Sequence, residues 1–141
     1  MILSVLLSFF VFNSNLTQNL NEVRLVKGIV ISEKEALPGV NIVVLGTTIG
    51  TTTDLDGRFC LLIPQDRTVF LQNTQCFSNL IIKVDLVTNF VKIELTGSKR
   101  KMKLAGQKSK ESYEEWVAIE EELTPALNEF YSKLDSRKPC N

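Results

Sequence analysis

The chain has 141 residues, 44% of them hydrophobic, with 16 Lys plus Arg against 16 Asp plus Glu and no histidine. That length suits one compact domain with an appendage and is too short for two large cores. A formal net charge of zero supplies no overall field toward nucleic acid, and the lack of imidazole removes the usual base of nucleophilic triads.

Residues 2–12, ILSVLLSFFVF, are apolar and stop at Asn13, well short of the roughly 20 residues that span a bilayer. The run reads as the hydrophobic part of an export signal over residues 1–21, with the polar stretch Asn13 to Asn21 as its exit, although no Lys or Arg precedes it. A membrane anchor and a buried first element are the other readings of the same run.

From Val26 onward, strand-like runs alternate with turns. Val26, Gly28 and Val30 interleave with Lys27, Ile29 and Ile31, so both faces of this first strand are expected to be at least partly covered. Ser32 to Glu35 is a polar hairpin tip, and Leu37, Pro38 and Gly39 turn the chain into Val40 to Leu45, the best candidate for the centre of a sheet. Pro38 suits a strand entrance, where its missing N–H costs no ladder bond. Gly46 to Thr53 is rich in glycine and threonine and predicts a turn flanked by short strands. Asp54, Leu55, Asp56 and Gly57 form a second turn that launches Arg58 to Ile63, where Phe59, Leu61 and Ile63 share a face and Phe59 is the expected core anchor.

Thr68 to Thr74, Leu80 to Val84 and Phe90 to Leu95 continue the pattern, separated by Gln75 to Asn79 and Asp85 to Asn89. About seven short strands with no long helical period among them predict an all-β sandwich of two antiparallel sheets over residues 22–97. Cys60, Cys76 and Cys140 are too few and too irregularly spaced for a disulfide scaffold or a zinc site. Cys60 and Cys76 read as buried thiols, with a cross-strand pair as the alternative.

After Gly97 the composition changes. Residues 98–110 carry six basic residues and no acidic one, and read as a basic, solvated linker or a frayed helix start. Residues 111–138 read as an amphipathic helical tail: Ser112 with Glu115 matches a capping box, and Thr124 with Pro125 looks like a second start. Two short helices, or one bent near Pro125, are expected.

Three pieces of the β-region, VKGIV at 26–30, LPGVNIVVLGT at 37–47 and GTTTDLDGRF at 50–59, resemble the carboxypeptidase regulatory-like domain. This is the transthyretin-like (prealbumin-like) β-sandwich that stands at the start of exported Bacteroidetes proteins, among them TonB-dependent outer-membrane receptors. The resemblance covers Val26 to roughly Thr96. Where the family usually carries Ile or Val, then Gly and an aromatic residue, this chain has Gln75, Cys76 and Phe77. Receptors of that type continue into a plug and a barrel of many alternating strands, which nothing after Gly97 resembles. The resemblance implies a non-catalytic module of the periplasm or outer membrane, without a cofactor.

The residues themselves offer no reaction. Asp54 and Asp56 could suggest a calcium loop, but the twelfth position is Gln65 rather than Glu, so a turn in which Asp accepts backbone hydrogen bonds is the preferred reading. The chain is read as no enzyme. A carbohydrate or small-ligand binding sandwich is the alternative to a structural or protein-interaction module, yet it would need exposed aromatics, and the β-region has four Phe and no Trp or Tyr. A fragment of a longer receptor is a further alternative. The expected partner is another protein or a second copy, bound through the C-terminal helices. Tyr113, Trp116, Leu123, Leu127, Phe130 and Tyr131 are the candidate partner-binding residues, against the reading that they cover the sandwich of their own chain. The basic run Lys99, Arg100, Lys101 and Lys103 allows peripheral contact with an anionic membrane, and no nucleic acid partner is expected.

Overall fold

The computed structural model describes residues 23–74 and 79–134. The export signal read over 1–21, the Gln75, Cys76 and Phe77 segment, Cys140 and the expected helix end near 138 lie outside the described residues. The elements, in chain order, are β1 (Val23–Ser32), β2 (Glu35–Ala36), β3 (Asn41–Val44), β4 (Gly50–Thr52), β5 (Arg58–Pro64), β6 (Val69–Thr74), β7 (Ile81–Val84), β8 (Phe90–Glu94) and α1 (Lys99–Lys133).

The strands form two sheets. In the first, β1 is central: β5 runs antiparallel along one edge from Val23↔Pro64 to Ile29↔Arg58, and β2 extends that edge through Ile31↔Ala36. Along the other edge β8 lies parallel, from Lys27↔Phe90 to Ile31↔Glu94. In the second sheet the order is β4-β3-β6-β7, antiparallel throughout, so β3 is an inner strand as its Val and Ile content predicts. The expected pair of purely antiparallel sheets is therefore corrected at one place. β8 arrives from β7 by crossing between sheets, and with no hairpin joining it to β1 nothing forces the antiparallel sense. The expected count of about seven strands meets eight among the described residues, the extra one being the two-residue β2.

Alternation fills the space between the sheets. Val26 and Val30 of β1, Ile42 and Val44 of β3, and Ile63 of β5 are fully buried. Phe59 lies across Gly28, and a Cβ at that glycine would run into the Phe59 ring, so the bare backbone of β1 is what admits the aromatic anchor. At roughly 25 cal/mol per Å² of apolar area, each large side chain buried here contributes about 1.5–3 kcal/mol before its ordering cost. The outward residues of β1 follow the expected mixed pattern, Lys27 exposed and Ile29 and Ile31 half-buried.

The turns show local chemistry of three kinds. Glu33 and Lys34 close the β1–β2 hairpin with φ of 52° and 67°, the left-handed pair of a two-residue turn that Asn-Gly ordinarily supplies. The N–H of Glu33 donates to Thr96 Oγ1 at 2.6 Å, a brace from beyond β8. In the Asp54 turn, Asp54 Oδ1 accepts from the N–H groups of Asp56 and Arg58, both at 2.9 Å. Gly57 follows at φ 71°, where a Cβ would crowd the Val30 carbonyl. This is the hydrogen-bonded turn expected for that aspartate. The third turn, before β8, is gripped from β1: Arg24 donates from Nη1 to the Thr88 carbonyl at 2.8 Å and from Nη2 to the Asp85 carbonyl at 2.6 Å.

The last element departs most from expectation. Residues 98–110 are not a linker, because α1 begins at Lys99, with Ser98 as N-cap accepting from the Lys101 N–H. Their Lys, Arg, Met, Leu, Ala and Gln are strong helix formers, and charge density had masked that propensity. Ser112 is thus no cap; it is buried inside the helix. Nor does Thr124–Pro125 start a second helix, since the helix is continuous through Pro125. A proline there forfeits one i→i−4 bond, a local penalty of about 3 kcal/mol, which burial of Leu123 and Leu127 on either side opposes.

Candidate interaction surface

The helix, about 50 Å long at 1.5 Å per residue, lies on the β7 side of the sandwich. Strand β7 ends the second sheet, leaving a row of backbone groups without a strand partner. Part of that edge is met by α1: the Ile81 N–H donates to Ser109 Oγ at 2.8 Å, and Lys83 Nζ pairs with Glu115 at 2.6 Å. That contact, chiefly the hydrogen bond to Glu115, raises the Lys83 ammonium above its ordinary pKa. Farther along, Gly46 passes so close to α1 that a Cβ would meet Thr124 Oγ1. At the C-terminal end, Tyr131 donates its hydroxyl to the Leu62 carbonyl of β5 at 2.8 Å, and burial pushes that phenol well above its ordinary pKa.

The six candidate partner-binding residues separate on this geometry. Leu127 is fully buried and Leu123 nearly so, both within the core shared by the two sheets. Trp116 and Tyr131 are half-buried against that core. Those four serve the chain's own sandwich, and as sites for a partner they are corrected: side chains recurring every three or four residues face one way, and β7 with the open end of the core occupies that way. Phe130 is half-buried and stacks edge-on with Tyr131 at 4.9 Å between ring centres. Tyr113, 48% exposed, remains accessible, its ring 6.0 Å from that of Trp116. The helix also exposes Leu104, Val117 and Ile119, none of which is among the six candidate partner-binding residues.

Elsewhere the exposed apolar side chains are Leu55 at the tip of the Asp54 turn, and Leu86, Val87 and Phe90 around the turn before β8. Hydrogen bonds from Thr88 and from the backbone N–H of Val87 hold the Asp85 carboxyl in that turn below the usual carboxylate range. Of the β-region aromatics, Phe59 and Phe70 are core and Phe90 is exposed, so among the described residues the sheets present no aromatic row on which a sugar could stack. Among the described residues, too, no group of three His, Cys, Asp or Glu is placed to hold a metal ion.

Several structural side chains escaped the sequence reading. Thr53 is buried, accepts from the Val40 N–H at 2.9 Å and donates to the Leu37 carbonyl at 2.7 Å, tying the entry of β3 to the exit of β4. Asn73 is fully buried and accepts from the Leu80 N–H, holding β6 to the start of β7. The signal for both was weak, since a polar residue inside an apolar run marks a partner without naming it. Cys60 corrects the preferred buried-thiol reading: it is disulfide-bonded. Its position explains the availability, since β5 is an edge strand and Cys60 alternates outward from Phe59 and Leu61.

Comparison with known proteins agrees with this architecture. Residues 26–105 match the CarboxypepD_reg-like domain, a match that begins within β1, takes in β2 to β8 and ends in the second turn of α1. The chain belongs to that family. A TonB-dependent receptor, P3, of Formosa agariphila is 41% identical over 66 residues, which are 45% of this chain and 7% of the receptor. The chain therefore spans a small part of the length of that relative, and the likeness concerns the domain.

Proposed function

We propose that this protein is a non-catalytic module of the cell envelope, a transthyretin-like sandwich that serves as a structural or protein-interaction domain in the periplasm or at the outer membrane. The observation that carries the reading is the family membership together with the 41% identity to a domain-sized part of an outer-membrane-type receptor. The export-like run at 2–12 supports the location. A helix that commits one side to the sandwich and keeps Leu104, Tyr113 and Val117 exposed supports an interaction role. The same identity favours a second reading in which the module works within a longer receptor.

Fractionation tests the first reading. An epitope-tagged copy in the native host is expected in the envelope fraction and to become protease-accessible once the outer membrane is permeabilised. Recovery in the cytoplasm, protected until the inner membrane is broken, would overturn it. Extension of the open reading frame into plug and barrel sequence would replace it with the second.

A further inference from the structure

The side of α1 turned away from the sandwich carries a charge pattern that the fold does not use. Residues 99–110 hold six basic residues and no acid, and residues 111–122 hold six glutamates and no base. The two blocks abut and have the same length. Of all these charges only Glu115 is ion-paired among the described residues, to Lys83. The arrangement also works against the isolated helix: its first turn has no acidic residue, and basic side chains there oppose the positive end of the helix dipole. Neither solubility nor helix stability asks for charges sorted in this order.

Exposed residues Arg100, Lys103, Gln107, Lys110, Glu114 and Glu121 follow one another at intervals of three, four or seven along that outer side. A two-fold axis placed between Lys110 and Glu111, perpendicular to the helix, exchanges residues 99–110 with residues 111–122, so that the basic block of one copy lies along the acidic block of the other. In such an antiparallel pair Arg100 lies level with Glu121, Lys99 with Glu122, Lys110 with Glu111, and exposed Leu104 with exposed Val117. Two-fold contacts need a surface complementary to itself, and a helix basic in one half and acidic in the equal half beside it has that property.

We infer that α1 is a self-association surface, on which a second copy of this chain docks antiparallel so that residues 99–110 of each copy lie along residues 111–122 of the other. The inference rests on the interaction role proposed above and names its partner. The sandwiches then lie on opposite outer sides, since each occupies the other face of its own helix. Contact between charged, exposed faces gives an association that is modest and sensitive to salt.

The test uses the purified full chain in sedimentation velocity over a concentration series. The parent protein is expected to dimerise, with a dissociation constant that rises at least about tenfold between roughly 0.05 M and 0.5 M salt. Two charge-reversed variants follow, one with Lys99, Arg100, Lys103 and Lys110 each changed to Glu, the other with Glu111, Glu114, Glu121 and Glu122 each changed to Lys. Each alone is expected to be monomeric with parental helix content, because like charges then face each other across the axis. Mixed, they are expected to form a one-to-one heterodimer tighter than the parent dimer. A parent that stays monomeric at low salt, variants that dimerise as the parent does, or a mixture that fails to pair would each overturn the inference. Binding of a monomeric parent to vesicles rich in anionic lipid, lost only in the Lys-to-Glu variant, would overturn it in favour of a membrane contact. None of these outcomes bears on location, so they leave the fractionation result to stand separately.

Discussion

The sandwich and the helix are held by different means. Each inner strand of the sandwich is bonded along two edges and contributes alternate side chains to the core. The helix has 35 residues, yet only Leu123 and Leu127 enter that core, with Trp116 and Tyr131 against it and single polar contacts at Ser109, Glu115 and Tyr131. Among the described residues, the buried indole Nε1 of Trp116 on the helix and the buried Nε of Arg24 on β1 have no hydrogen-bond partner. The sandwich is accordingly the cooperative unit, and the helix lies on it through Ser109 and Glu115 in its first half and through Leu123, Leu127 and Tyr131 in its second.

The largest expected effect breaks the sandwich. Phe59→Ala removes the ring that lies across Gly28, and the resulting cavity is expected to cost about 3–5 kcal/mol. Sandwich and helix should then unfold together at lower denaturant, and an unchanged midpoint by circular dichroism would refute the anchor role. A more selective change is Leu127→Ala, expected to cost about 2–5 kcal/mol. Hydrogen exchange should show α1 losing protection beyond what β3 and β6 lose; equal losses in both would show helix and sheets to be one unit.

The smallest effect sharpens the attachment at its far end. Tyr131→Phe keeps the ring and loses the hydrogen bond to Leu62, for about 1 kcal/mol. It also alters the alkaline limb of stability. Burial raises the folded phenol's pKa, so the folded state keeps a proton that the unfolded chain gives up near pH 10. The stabilisation from this proton is whole below that pH and declines as pH rises beyond it, toward the folded value. Chemical denaturation between neutral pH and pH 11 should show a steeper alkaline loss in the parent than in Tyr131→Phe; parallel curves would remove the burial argument.

Much of this fold is legible in the chain. The alternation in Arg58 to Ile63 and in Phe90 to Leu95 places the right side chains inward, and Asp54 with Gly57 specifies a turn whose hydrogen bonds form as expected. These features are local: a strand's two faces and a turn's φ angles are settled by neighbouring residues. The candidate surface was read less well. A helical stripe says that a face will be covered, and Trp116, Leu123 and Leu127 satisfy that demand equally well on their own sandwich or on a partner.

By itself, then, the sequence determined the strands, their inward residues, the Asp54 turn and the family. Tertiary structure decided that β8 runs parallel to β1, that residues 99–110 continue a helix, and which side of that helix is spent. The physical reason is range. Propensity and alternation act over a few residues, whereas strand sense, edge coverage and the choice of buried face follow from what lies next to an element in space.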